Sequence, residues 1–180
     1  MATNYSTTTI AADRGQRSFS LSLNQFLAKR GGSAIVARGR ALKQSNAALF
    51  TSIQQRFGVP PGPLLAIWGM ETGFGSSRGN QNVLSAVATL AYDCRRTAYF
   101  TDQLYAALTL VERGIFSAGT RGSMHGEVGH TQFLPKNILG LRVNEWVILG
   151  LKARQTGGLR RTFALRLGSE FAMNIGWHEH

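Results

Sequence analysis

The sequence predicts a mainly α-helical protein, and three observations carry that expectation. Apolar residues recur at spacings of three, four and seven along several stretches between Phe19 and Val111, which places them on one face of a helix. Clusters of proline and glycine, such as "FGVPPGP" at residues 57–63, interrupt those stretches where helices must stop and start again. No segment alternates apolar and polar residues as a half-buried strand does, and there is neither an internal repeat nor a heptad pattern.

Taken in order, residues 1–18 are polar and threonine-rich and are expected to form a flexible N-terminal arm. Leu21, Phe26 and Leu27 predict a short amphipathic helix, and Ala34 to Phe57, with Ile35, Leu42, Leu49 and Ile53 aligned, predicts a longer continuous one. Beyond the break, Pro61 or Pro63 suits the first turn of a helix, where a missing N–H removes no bond. That helix is expected over Leu64 to Glu71, with Leu64, Ile67, Trp68 and Glu71 on its buried stripe and Gly73 just beyond its end. Val83, Val87, Leu90 and Ala91 form the face of the next helix. Thr101 is the expected cap of another, in which Leu104, Leu108 and Val111 align and Gly114 supplies the stop. Residues 118–137, "AGTRGSMHGEVGHTQFLPKN", read as a long ordered loop, a kind of segment that tends to carry function.

The composition narrows the classes of function. With 180 residues, 43% of them apolar, the chain can bury one core and a small second lobe. It has no stretch of eighteen apolar residues, so no membrane-spanning segment is expected, and no signal peptide is visible at its start. The formal charge of +11 favours polyanions, among them nucleic acid, anionic membrane surfaces and anionic cell-wall polymers. The basic residues are spread from Arg14 to Arg166 with no zinc-finger or RNA-binding signature, so nucleic acid is not an expected partner. The lone Cys94 excludes an internal disulfide. Beside Arg95 and Arg96 it has the setting of an activated thiolate but no His or Asn partner signature, and a small buried residue is expected instead. His125, Glu127 and His130 lack a metal-ligand spacing, so neither metal nor other cofactor is expected.

The stretch "AIWGMETGFG", residues 66–75, sets Glu71 among Trp68, Met70 and Phe74. Apolar neighbours and a helix C-terminus both disfavour an ionised carboxyl, and a carboxylic acid kept protonated is what general-acid cleavage of a glycosidic bond needs. The glycines after it, at 73 and 75, would let a sugar chain approach the backbone, with Phe74 as an apolar wall. The alternative is a core glutamate held by a structural hydrogen bond or an arginine. For a second carboxylate, Asp93 reads as an ion pair with Arg95 and Arg96, Asp102 and Glu112 as solvated helix residues, and Glu127 as the best runner-up. None has a setting like that of Glu71, which points to single-acid chemistry.

Three segments, "FGVPPGPLLAIWGMETGFG", "VLSAVATLAYDCRRTAYFTDQLYAAL" and "GSMHGEVGHTQFLPKNI", resemble the catalytic domain of lytic murein transglycosylases of the membrane-bound B (MltB) type. They stand in that family's order, with its ATLA–RR and G-x-x-Q-F-x-P elements, and the likeness covers residues 19–139. The resemblance implies a mainly α, goose-type lysozyme-like fold and cleavage of the β-1,4 bond between N-acetylmuramic acid and N-acetylglucosamine in peptidoglycan glycan strands. It implies a single glutamate, matched by Glu71, that protonates the glycosidic oxygen and then takes the proton of the muramoyl C6 hydroxyl, leaving a 1,6-anhydro end. The substrate's N-acetyl group assists as internal nucleophile. Ser123 matches a serine near the acetamido group, and Gln132 and Phe133 match residues lining the sugar cleft. For Gln132 turn stabilisation, and for Phe133 core packing, are the alternative roles. Many members carry "AGAMG" where this chain has "HGEVG", residues 125–129, so His125 and Glu127 are extra polar groups near the proposed cleft, expected to face water, with substrate binding as the alternative. The family location is the periplasm.

Residues 140–180 do not resemble the family's continuation and are expected to be an atypical basic tail, produced by a shifted reading frame or a truncation, or else specific to this lineage. The leading function is a peptidoglycan lytic transglycosylase whose activity depends on that tail. A lysozyme-like hydrolase and a non-catalytic module binding cell-wall glycan or another polyanion are the alternatives.

Overall fold

The computed structural model describes residues 3–15 and 21–140. The expectations for the tail beyond Gly140, and for a helical pattern starting at Phe19, fall outside the described residues. In chain order the elements are α1 (Thr7–Arg14), α2 (Leu23–Lys29), α3 (Gly32–Ser45), α4 (Ala47–Phe57), α5 (Pro61–Thr72), β1 (Gln81–Asn82), α6 (Val83–Tyr92), α7 (Thr97–Glu112), β2 (Arg121–Gly122) and α8 (Pro135–Gly140). The described residues divide into two compact units, one of residues 3–15 and 78–140, the other of residues 21–77. The stretch 19–139, expected as one catalytic domain, is thus shared between them.

In the second unit α2 starts at a capping box. Ser22 Oγ accepts from the Gln25 N–H, and Gln25 Oε1 accepts from the Ser22 N–H, so two donors without helical partners are satisfied. The continuous helix expected from Ala34 to Phe57 is two helices. Asn46, at φ −125°, leaves the helical region, and its Nδ2 donates to the Leu42 carbonyl at 3.1 Å, the competition between side chain and backbone that disfavours Asn in helix interiors. Gly58, at φ +68°, ends α4. Pro61 then starts α5, three residues before the expected Leu64.

The core of this unit is Phe50, Ile53, Val59, Leu64, Leu65 and Phe74, flanked by Ile35, Leu42, Leu49, Phe57 and Trp68. α3 meets α5 where both lack side chains. A Cβ on Gly39 would touch the Phe74 ring and Leu65, and one on Gly69 would run into Ile35 Cγ2 and the Phe74 ring. Because α5 is apolar almost all round, the spacing of its apolar residues did not reveal its inner face. The buried residues are Leu64, Leu65, Gly69 and Thr72. Glu71 is exposed rather than on the buried stripe, since at 3.6 residues per turn it lies about 100° from the centre of that face.

In the first unit the expected flexible arm contains a helix. Ser6 caps α1 by accepting from the Thr9 N–H, and the Ser6 N–H donates to Thr89 Oγ1 of α6 at 3.0 Å. Ile10 packs with Leu90 and Phe100. α6 and α7 pair through Leu84, Val87 and Ala107, with Leu104 and Val111 alongside. α7 starts at Thr97, so Thr101 lies within the helix and is not its cap, and Leu108 is exposed because the buried face is Phe100, Gln103, Ala106, Ala107 and Leu110. Cys94 is exposed, not buried, because it lies in the turn between α6 and α7. The buried Gln103 accepts through Oε1 from the Lys136 N–H at 2.9 Å and so holds the first turn of α8. Strands β1 and β2 pair antiparallel, Gln81 with Gly122 and Asn82 with Arg121. At two residues each they are too short to alternate visibly in the sequence.

Gly69→Ala is expected to destabilise the protein by about 2 kcal/mol, as overpacking does. Gly62→Ala, where an added Cβ meets nothing within 4 Å, is expected to leave stability unchanged or slightly raised. Urea unfolding of the two variants beside the parent checks the contrast.

Candidate active site

Glu71 stands in the last turn of α5, and the residues after it fix where that turn ends. Gly73, Phe74 and Gly75 are all left-handed, at φ +55°, +60° and +86°. The Gly73 N–H closes on the Gly69 carbonyl at 3.0 Å, and the Phe74 N–H on that of Trp68 at 3.2 Å. The buried Thr72 hydroxyl accepts from the Gly75 N–H at 3.0 Å, and the Ser77 N–H returns to the Thr72 carbonyl. Glycine enters the left-handed region freely and phenylalanine does not. Phe74 is held there by its ring, which packs edge-on to Trp68 at 5.5 Å and lies under the Arg38 guanidinium at 5.3 Å. Phe74 is only 8% exposed. It was expected as an apolar wall facing a sugar; the structure makes it a core residue, because the left-handed turn folds the ring back under α5.

Ser123, Gln132 and Phe133 lie in the other unit, on the loop between β2 and α8. Ser123 organises its first half. Its hydroxyl accepts the N–H groups of His125 and Glu127, both at 3.1 Å, and donates to Glu127 Oε2 at 2.9 Å. The Ser123 N–H closes on the Glu127 carbonyl at 2.8 Å. One donor and two acceptors are all a hydroxyl has, so the contact with an acetamido group that the resemblance implies finds the Ser123 oxygen already saturated. Gly79, Gly122 and Gly126 let backbone pass where any Cβ would collide, with the Gly122 carbonyl, the Glu127 carbonyl and Val87 respectively.

In the second half of the loop Val128 and Phe133 exchange backbone bonds at 2.8 and 3.1 Å. Gln132 between them sits at φ +54°. Its Nε2 donates to the Gly129 carbonyl at 2.8 Å, while its Oε1 accepts nothing among the described residues. The turn-stabilising role of Gln132 is present on one end of its amide, and an acceptor remains on the other. Phe133 is half-buried.

The Arg95–Arg96 pair is partnered differently from the expectation. Both guanidinium groups bind the buried Asp13 carboxylate of α1, with His125 Nε2 at 3.6 Å, and Asp93 pairs with Arg14 at 2.9 Å. This crossed set ties α1 to the turn between α6 and α7. Sequence reasoning missed Asp13, Thr72 and the bond from Ser123 to Glu127. Only Asp13 left a signal, as a lone acid in a segment otherwise free of acids. No group of three or more His, Cys, Asp or Glu residues among the described residues is placed to hold a metal. No helix among them is long and apolar enough to cross a membrane.

The mostly helical fold is of the lysozyme-like, lytic transglycosylase class. A family model described as the Transglycosylase SLT domain matches residues 1–145, and the chain belongs to that family. Among curated proteins it is similar to membrane-bound lytic murein transglycosylase B of Escherichia coli K12, 34% identical over 85 residues, which is 46% of this chain and 24% of that protein. Among solved structures it is similar to SltB3 from Pseudomonas aeruginosa in complex with NAG-NAM-pentapeptide, with a TM-score of 0.77 and 29% identity over 98% of this chain and 46% of that one. The Escherichia coli lytic transglycosylase Slt35 in complex with bulgecin A has a TM-score of 0.72 at 21% identity, covering 97% of this chain and 55% of that one, a likeness of fold. The chain therefore spans between 24% and 55% of the length of these relatives.

Burial, and then the charge of Arg78, push the His130 imidazole down to about 4. Burial lowers His125 as well; Arg96 and Arg95 add to this while Glu127 opposes it. An unfolded histidine titrates near 6.5, so below that pH the unfolded chain takes up protons that the folded chain refuses. Stability is expected to be complete above that value and to fall as the pH drops from 6.5 to about 4. His130→Gln should flatten this fall in a pH series of urea midpoints. An unchanged slope would assign the effect to other groups.

Proposed function

We propose that this chain is the catalytic part of a peptidoglycan lytic transglycosylase that cleaves the MurNAc–GlcNAc β-1,4 bond without water, with Glu71 as its single acid and base. The observation that carries the reading is an exposed glutamate at a helix end locked by three successive left-handed residues, in a chain of the Transglycosylase SLT family. The substrate class is supported by the similarity to SltB3, solved in complex with NAG-NAM-pentapeptide and with NAG-anhNAM-pentapeptide. Peptidoglycan as substrate places the work of the protein in the periplasm.

In this reading a bound glycan excludes water from Glu71 and favours its neutral, proton-donating form. Glu71 gives its proton to the bridging oxygen as the bond from muramoyl C1 breaks, and the substrate's acetamido oxygen holds the developing positive charge at C1. The Glu71 carboxylate then takes the proton of the C6 hydroxyl, whose oxygen closes on C1. Glu71 ends protonated as it began, and no water is consumed. Gln132, through its open Oε1, accepts from a sugar hydroxyl or amide, and Phe133 packs on a sugar face. Ser123 acts by shaping the loop, and Phe74 by fixing the end of α5.

Incubated with purified murein sacculi, the protein is expected to release muropeptides with 1,6-anhydromuramoyl ends, lighter by one water than hydrolytic products. Glu71→Gln should lower the rate by at least about a hundredfold, the scale of lost general acid–base catalysis, with the melting temperature unchanged. Reducing ends in mass spectra would identify a hydrolase instead. Equal rates for both forms would remove Glu71 from the chemistry.

A further inference from the structure

Glu127 is left over once the proposed reaction has been assigned to its residues. It holds the Ser123 hydroxyl through Oε2 at 2.9 Å, and its other oxygen, Oε1, accepts nothing among the described residues. It is half-buried, and its backbone is fixed, with its N–H held by Ser123 Oγ and its carbonyl by the Ser123 N–H. The same carbonyl lies against the bare backbone of Gly122, where a Cβ would collide with it. The Val128–Phe133 bridge joins this half of the loop to the half that carries Gln132.

The polar character of the loop therefore differs from what the Ser123 position alone suggests. A serine hydroxyl can meet either end of an acetamido group. Here that hydroxyl is saturated, and the group left to meet a ligand is a carboxylate, which only accepts. An acceptor-only, charged group is best matched by a cationic donor, since a hydrogen bond between two ions is about twice as strong as a neutral one. We infer that Glu127 is a specificity-determining residue of the glycan-binding loop and selects an amino sugar whose 2-amine is free and protonated over its N-acetylated counterpart. The inference rests on the proposed role of this loop in holding glycan and extends it to the acetylation state of the strand.

The test uses the full chain carrying Glu71→Gln, which blocks turnover and removes another carboxylate that would attract an amine. It is titrated in mildly acidic buffer with a fully N-acetylated chitotetraose and with the fully de-N-acetylated tetramer, by calorimetry or by amide shifts. The chain's charge of +11 repels the cationic tetramer, so bulk electrostatics works against the expected result. The expectation is that the de-N-acetylated tetramer binds about tenfold tighter. Adding Glu127→Gln, which keeps an acceptor for the Ser123 hydroxyl, should bring the two ligands within about twofold without weakening the acetylated one. Tighter binding of the acetylated tetramer, equal binding of the two, or a preference that survives Glu127→Gln overturns the inference while leaving the glycan-binding role in place. If neither tetramer binds, that role fails and takes the inference with it.

Discussion

The burial of the Phe74 ring against the bare backbones of Gly69 and Gly39 is the contact on which the geometry around Glu71 depends. It is maintained against an opposing cost. A non-glycine residue in the left-handed region is strained by about 1–2 kcal/mol. Full burial of a phenylalanine contributes about 1.5–3 kcal/mol, and an edge-on aromatic pair about 0.5–1.5 kcal/mol more. Ring burial therefore exceeds backbone strain, but only while the two glycines leave room for it. With the ring anchored, α5 must end at Thr72. The residue before that end, Glu71, is then fixed in azimuth and depth by packing on the adjoining face of the helix. Gly69, two residues before Glu71, serves to admit the aromatic ring.

The loop in the other unit uses the same device with different partners. Gln132 is the second non-glycine residue at positive φ among the described residues, and it too is held by what flanks it. The Val128–Phe133 pair closes around it, and its own Nε2 ties back to Gly129. Strain of this kind persists only where the surroundings over-determine it, and it gathers where a protein holds a side chain ready for a ligand. The two strained residues stand at the two segments that sequence reasoning had selected for chemistry. One differs from its assignment, since the strain at Phe74 fixes a neighbour and does not display the ring.

What the sequence revealed and concealed follows from where the determining contacts lie. α6 was legible because Val83, Val87 and Leu90 face one way and Asn82 caps it by accepting from the Ser85 N–H. The inner face of α5 was not legible, since a helix apolar on nearly every side offers no contrast from which to read a direction. α1 was concealed for the opposite reason. Its buried residues are Thr9, Ile10 and Asp13, and the partners of that aspartate, Arg95 and Arg96, lie some eighty positions away. Charge pairing at that range leaves no local pattern, and the nearer Asp93 drew the assignment instead. The division of the expected long helix turned on the single polar Asn46 among good helix formers, where propensity alone favours continuity. Glu71 and the glycine-rich loop stood out as candidates because their residue types are unusual for their settings. The saturation of Ser123 did not, because its partners are backbone groups that only the folded loop gathers.

The scarcity of acid in this chain gives a last argument about how the candidate site is arranged. Residues 21–77 contain six basic side chains, Lys29, Arg30, Arg38, Arg40, Lys43 and Arg56, and Glu71 as their sole acid. In the other unit Asp13, Asp93 and Asp102 are taken up in ion pairs, and Glu127 is engaged with Ser123. Where cations outnumber anions so heavily, a carboxylate placed at random is drawn into a neighbouring cation's field, which stabilises its charged form. A proton donor is therefore best located at a helix C-terminus, where the backbone dipole opposes that charge. Glu71, the acid of the proposed reaction, has this location, in the last turn of α5. Glu127, by contrast, precedes no helix end, and its backbone is held in a loop at both N–H and carbonyl. The two carboxylates are thus suited to different work: one set where its charge is opposed by the backbone, the other fixed as an acceptor.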